Sequence, residues 1–244
     1  MPDLLRHTSR VTFELSNMCN LAHAHTKCPA HKAASRPVYL PEKVVRHVLA
    51  FMQADGFGER EIAWHNYGEP TIDPRLFMFI DEAHRLMPRV KQYVLSNGVT
   101  MCQTLLDELA AHGVTRLWFT AYTRAIADKL NALDHQAIES WQVEHREVLD
   151  ARLTIYDRDR RPSDAPCFEP LENMLIRATG TVCLCCNDWR CDYPFGDLNS
   201  TSFEAILRSG KMQEAWERLK AGDRFLPICK RCKSRRGTHL GTPS

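Results

Sequence analysis

The fold turns on two short stretches, Glu61-Ile62-Ala63-Trp64-His65-Asn66-Tyr67-Gly68-Glu69-Pro70 and Lys91-Gln92-Tyr93-Val94-Leu95-Ser96-Asn97-Gly98. Each is a brief apolar run that stops at turn-forming residues, the pattern of a buried strand delivering a loop. Between them, Arg75 to Met87 carries helical spacing, so the three segments read as one strand–helix–strand unit. Upstream, Arg10 to Ser16 alternates as a strand and hands Cys19 to a loop. Pro41 then opens a helix to about Ala54, with Val44, Val45, Val48 and Phe51 on one face. Downstream come a helix from Met101 to His112 stopped by Gly113, a strand from Arg116 to Ala121, a weaker helical stretch, and a further strand over Val148–Tyr156. Such alternation predicts an α/β protein with a parallel sheet. Ligands in these folds gather at the carboxyl ends of the strands. The loops holding Cys19, Gly68-Glu69-Pro70 and Ser96-Asn97-Gly98 would then share one rim.

Composition narrows the class. At 244 residues and 44% hydrophobic, the chain can bury a sizeable core. Its 32 basic and 30 acidic residues nearly cancel, so nothing favours nucleic acid as a partner. The basic run from Lys230 to Arg236 reads as a solvated face. No apolar stretch approaches the ~20 residues of a membrane helix, and charges interrupt the first ten residues where a leader would be apolar. A cytoplasmic protein is expected. Its ten cysteines are then better explained by metal ligation than by disulfides. They fall into two groups: Cys19 and Cys28 near the N-terminus, and seven from Cys167 to Cys232. Cys102 stands apart and reads as a core residue of its helix. The charged, proline-bearing segment Arg158–Pro166 is the expected boundary between a domain over residues 1–160 and a smaller one over 161–244.

In their order along the chain, these segments resemble the radical S-adenosylmethionine (SAM) superfamily, in the group with a C-terminal SPASM or shorter twitch appendage. The resemblance is carried by Ser16-Asn17-Met18-Cys19-Asn20-Leu21 with Cys28-Pro29, by Tyr67-Gly68-Glu69-Pro70, by Ser96-Asn97-Gly98, and by Cys167, Gly180-x4-Cys185 and Cys229-x2-Cys232. It implies a partial (β/α)6 radical SAM barrel with a small cysteine-rich domain after it. It also implies a SAM-binding [4Fe–4S] cluster, one auxiliary [4Fe–4S] cluster and SAM itself. Gly68, Glu69 and Pro70 would meet the amino group of SAM, Ser96 and Asn97 would form its second turn, and Thr120 would reach the ribose. Three protein ligands leave one iron open to SAM, and an electron from the cluster releases a 5′-deoxyadenosyl radical. A flavodoxin- or ferredoxin-type donor would supply that electron.

One departure matters. The superfamily's loop carries three cysteines, whereas here Cys19-Asn20-Leu21-Ala22-His23-Ala24-His25-Thr26-Lys27-Cys28 has two. His23 keeps the usual spacing after Cys19, and His25 keeps the usual spacing before Cys28. Either imidazole could be the third ligand, and a histidine would raise the cluster's potential and oppose SAM reduction. The alternative is that both are exposed loop residues. In the C-terminal group, Cys167, Cys185, Cys229 and Cys232 saturate one cluster, with Cys186 competing for the second place; four thiolates could equally hold zinc. Glu14 could touch substrate or be a satisfied structural carboxylate. Arg152 and Tyr156 could contact a polar substrate or move a proton, while Trp64 and Tyr67 read as packing.

Within the superfamily the chain is similar to members that dehydrogenate aminocyclitols, by its His-x-Tyr-Gly-Glu-Pro segment and the spacing of its last four cysteines. The expected reaction is hydrogen abstraction from a small polar, aminocyclitol- or sugar-like substrate, ending in dehydrogenation or epimerisation. A peptide-modifying maturase and a non-catalytic binding protein with a degenerate cluster loop are the alternatives.

Overall fold

The computed structural model describes residues 4–33, 36–146, 153, 155 and 165–232. Five parallel strands follow the chain across one sheet: β1 (Arg10–Phe13), β2 (Glu61–Trp64), β3 (Lys91–Ser96), β4 (Val114–Ala121) and β5 (Ser140–His145). Beyond β1 the sheet continues with β6 (Asn173–Ile176), also parallel, and then β7 (Thr181–Cys183) and β8 (Gly196–Asp197), both antiparallel. Six parallel strands thus make the partial barrel. The sixth is drawn from beyond the expected boundary, and pairs residue for residue with the first.

Helices fill the crossovers: α1 (Pro29–Ala33) and α2 (Glu42–Ala54) after β1, α3 (Leu76–Leu86) after β2, α4 (Gln103–Ala111) after β3 and α5 (Arg124–Asn131) after β4. Near the C-terminus lie α6 (Glu169–Glu172), α7 (Phe203–Leu207), α8 (Gly210–Lys220) and α9 (Pro227–Arg231). None of the described helices is long and apolar enough to cross a membrane. The helical periodicity of α2 buries Val44, Val45, Val48, Leu49 and Met52. In the same way α3 buries Leu76, Phe79, Ile80 and Ala83. Both pack on the face of the sheet that presents Val11, Phe13, Ile62 and Trp64. Phe13 stacks on Trp64 and Trp64 on Phe79, with ring centroids 5.2 and 6.5 Å apart. Strand side chains alternate between faces. Arg10 and Thr12 of β1 therefore fall on the other side, together with Trp118 and Thr120 of β4, Glu144 of β5 and Asn173 and Leu175 of β6. That side lines a cavity.

Three expectations need correction. The stretch between β4 and the expected strand at Val148–Tyr156 holds both a helix and a strand, α5 and β5. As the edge of the sheet β5 is only half-buried along its length, which leaves no strong apolar alternation to read. Val148–Tyr156 itself lies outside the described residues, save Leu153 and Ile155, as does most of the boundary segment Arg158–Pro166. Cys102 is exposed at the N-cap of α4 rather than inside it, because the helix starts at Gln103, two residues after Met101, and Met101 takes the buried place. Finally, Cys183 and Cys191 are joined as a disulfide. The Asp188 carbonyl accepts the Cys191 N–H at 2.9 Å, and its carboxylate accepts those of Asp192 and Tyr193. This folds the chain back so that Cys191, with φ of 55°, returns to β7.

Candidate active site at the carboxyl ends of the strands

The cavity holds about 330 Å3 and brings together the ends of β1 to β5, the loop after β1 and residues after β7. Its size lies within the range of small-molecule sites. The loop after β1 is wound by short turns: Cys19 O accepts from Ala22 N at 3.1 Å, Leu21 O from His25 N at 2.9 Å and His25 O from Cys28 N at 2.9 Å. Steps of three and four residues put Cys19, His25 and Cys28 on one side of the loop, and all three line the cavity. His23, out of step, is exposed. His25 is buried and meets the Tyr122 ring edge-on at 4.4 Å. His31 is exposed, with Nδ1 2.8 Å from Ala22 O. Burial pushes the Cys19 thiol up to about 11, and the nearby Glu69 and Cys28 add to the rise.

The Gly68-Glu69-Pro70 loop is fixed by the chain itself. Glu69 N–H donates to Met18 O at 2.7 Å. A Cβ on Gly68 would sit 1.9 Å from Ser16 O and 2.9 Å from its carbon, so only glycine lets the two loops touch. The Glu69 carboxylate is buried; one oxygen accepts from Thr71 N and Oγ1, the other from Asn97 N at 2.8 Å. Removal from water raises its pKa, and those donors offset part of the rise. Pro70 is buried at the start of a short 3₁₀ turn. Asn97 in turn reaches Asn20 Oδ1 at 2.6 Å, and Ser96 Oγ accepts from Gly98 N at 3.0 Å. Glycine is also required at position 98, where φ is +73° and a Cβ would lie 2.7 Å from Leu130. Three separate loops are thereby tied into one rim, and Thr120, at the end of β4, joins their cavity.

Glu14 does not join it. Buried beneath the loops, its carboxylate accepts from Asn66 Nδ2, Tyr67 N, Ala178 N and Arg177 Nε, at 2.9, 3.1, 3.1 and 2.6 Å. That is a structural carboxylate binding β1, β2 and β6 together, not one offered to substrate. Trp64 is wholly buried, its indole N–H held by Gln92 at 2.9 Å. Tyr67 lines the cavity, and its hydroxyl donates to Cys186 O. Arg152 and Tyr156 lie outside the described residues.

Several cavity residues escaped the sequence reading. Trp118 and Tyr122 flank Thr120 at intervals of two, a signal that was available once Thr120 was chosen. The Trp118 indole nitrogen is buried and has no acceptor among the described residues. Glu144 and Arg146, paired through two bonds of 2.8 and 2.9 Å, follow from β5, which was not seen. Arg10, His65, Asn66, Glu169 and Asn173 also line the cavity.

A second, smaller cavity adjoins. It is lined by Cys167, Cys185, Cys229 and Cys232, the four cysteines expected to act together. Burial drives the thiols of Cys167, Cys185 and Cys229 upward, Cys229 to about 12, and repulsion from neighbouring sulfurs adds to it. Cys186 lies instead along the larger cavity. Among the described residues no three His, Cys, Asp or Glu side chains converge on a single metal ion. A cluster asks for a different spacing, since each ligand binds its own iron.

Residues 167–233 match the SPASM iron-sulfur cluster-binding domain. The chain is similar to radical SAM proteins that carry a SPASM domain. It is 24% identical, over 183 residues, to the S-adenosyl-L-methionine-dependent 2-deoxy-scyllo-inosamine dehydrogenase of Niallia circulans, a span of 71% of this chain and 72% of that one. Its fold is similar to that of BtrN, solved in complex with AdoMet and 2-DOIA, with a TM-score of 0.76 at 20% identity over 93% of each chain. anSMEcpe, solved with bound AdoMet, superposes less closely, at 0.58 and 12% identity over 93% of this chain and 90% of that one. The match to the SPASM domain begins at Cys167 and spans all four cysteines of the smaller cavity.

Proposed function

We propose that the chain is an enzyme that cleaves SAM reductively and takes a hydrogen atom from a carbinol carbon of a small aminocyclitol- or sugar-like substrate. The observation that carries this reading is the single cavity into which Cys19, His25, Cys28, the Gly68-Glu69 loop, the Ser96-Asn97 turn and Thr120 all open. The donor set fits the groups required. Thiolates and an imidazole are iron–sulfur ligands, and the Trp118 N–H is a buried donor awaiting an acceptor. The four cysteines of the smaller cavity suit an auxiliary cluster in the same way. In this reading Cys19, Cys28 and His25 hold the first cluster, which when bound supplies the electron that releases the 5′-deoxyadenosyl radical.

The protein's own contribution is position and exclusion. Glu69 locks the loop after β2 against Asn97 and so fixes the backbone on which SAM would rest. Trp118, Thr120 and Tyr122 form one wall for the nucleoside. Arg10, Glu144, Arg146 and Asn173 supply charge and hydrogen bonds for a hydroxylated, amine-bearing substrate. In a dehydrogenation the carbinol carbon gives up a hydrogen atom to the radical, the hydroxyl gives up a proton, and one electron leaves to an acceptor. Cys167, Cys185, Cys229 and Cys232 in the adjoining cavity would hold a cluster able to take that electron. A flavodoxin- or ferredoxin-type protein is the expected donor for the first cluster.

The test is isotopic. Aminocyclitols deuterated at the carbinol carbon are incubated anaerobically with reconstituted protein, SAM and dithionite. Deuterium in the 5′-deoxyadenosine and a ketone product support the reading. SAM cleavage with no label transfer from any aminocyclitol or sugar offered would point to a different substrate class, such as a peptide.

A further inference from the structure

Two residues, Glu169 and Asn187, line both the larger cavity and the four-cysteine cavity. They are the wall between them. Asn187 follows directly on Cys185 and Cys186, so one short run of chain supplies a cysteine to the small cavity, a cysteine to the large one and the residue common to both. Its donors point toward sulfur. The side-chain Nδ2 donates to Cys232 Sγ at 3.4 Å. The backbone N–H of the same residue donates to Cys185. One residue therefore bonds two of the four expected ligands, which lie 47 positions apart in the chain, and the same residue lines the cavity where substrate would sit.

An N–H bonded to a ligand sulfur withdraws electron density from the cluster and favours its reduced form, because the bond strengthens when the added electron makes the sulfur more negative. A backbone donor does this in any sequence, but a side-chain donor is a choice of residue. We propose that the Asn187 side chain sets the reduction potential of the auxiliary centre, holding it high enough to accept an electron from the adjoining cavity. This rests on the reading of Cys167, Cys185, Cys229 and Cys232 as cluster ligands. Asn187 acts here through Cys232 and is a tuning residue rather than a catalytic one.

The experiment uses the full chain, reconstituted anaerobically in a Cys19→Ala/Cys28→Ala background so that only the auxiliary centre is loaded. Redox titration followed by EPR is compared with and without Asn187→Leu, which keeps the volume and removes the donor. The expected result is unchanged iron content and a midpoint potential shifted to more negative values. Full iron with an unshifted potential overturns the proposal. Should the leucine variant lose iron, Asn187→Ala decides, since it removes the donor without adding charge; it too must shift the potential downward. Loss of iron from both variants makes Asn187 a structural prop and overturns the tuning role. A parent protein that holds zinc instead of iron removes the cluster reading beneath the proposal, an outcome distinct from all of these.

Discussion

His25 and His23 stand two residues apart, and the backbone separates them. The turns that bond Cys19 O, Leu21 O and His25 O carry His25 into the cavity with both loop cysteines and leave His23 outside. His25→Ala is therefore expected to lose iron from the first cluster, while His23→Ala keeps it. Iron and sulfide counts on the reconstituted variants check this, and equal retention by both would remove the histidine ligand. Spacing alone could not choose, because each histidine matches the superfamily pattern from a different end. At Glu14 the sequence again left two readings. Four donors around a carboxylate that is 1% exposed decide for structure. Glu14→Ala leaves the half-buried Arg177 without its carboxylate and the Tyr67 and Ala178 N–H groups without an acceptor, and should cost about 3 kcal/mol, measured by urea unfolding of the apoprotein. A cost near zero would contradict the assignment. Trp118→Phe removes one N–H from the cavity and should weaken SAM or substrate binding by about 1 kcal/mol, roughly fivefold in Kd by calorimetry. Unaltered affinity for both would mean that the indole donor has no ligand.

Among the elements, the strands that carry apolar alternation were legible and the edge was not. β1 to β3 show buried runs ending in turn residues, and the structure returns them within a few residues of their expected limits. The half-exposed β5 gave no such signal, so Glu144 and Arg146 went unseen with it. The Gly68 loop was legible for an incomplete reason. Sequence suggested a close approach of backbone to ligand, whereas the nearest atoms to a Cβ there belong to Ser16 and Met18. A substitution at Gly68 must then part the loops after β1 and β2 before any ligand is considered. Gly68→Ala should lower thermal stability in the apoprotein, by at least the ~1–3 kcal/mol typical of overpacking, as well as abolish SAM binding. An apoprotein with an unchanged melting temperature would mean that the loops separate freely.

Across the whole molecule, β6 brings the C-terminal region to the first strand of the barrel and places the four-cysteine cavity beside the larger one. Sequence order could say that two cysteine groups exist, but not that they adjoin. That required the pairing of β1 with β6, residues more than 150 positions apart in the chain. Two centres are expected, about eight irons if each is a 4Fe–4S cluster, with Mössbauer spectra of Cys19→Ala showing half that content. The loop with two cysteines and one histidine is expected to support radical chemistry. The most direct test is 5′-deoxyadenosine formation by the reconstituted protein with SAM and dithionite, set against Cys19→Ala loaded in parallel. The wild type is expected to form 5′-deoxyadenosine and the variant none, with the auxiliary iron intact in both. A wild type with both clusters in place and no 5′-deoxyadenosine above the Cys19→Ala background would contradict it and leave a binding protein on a radical SAM fold.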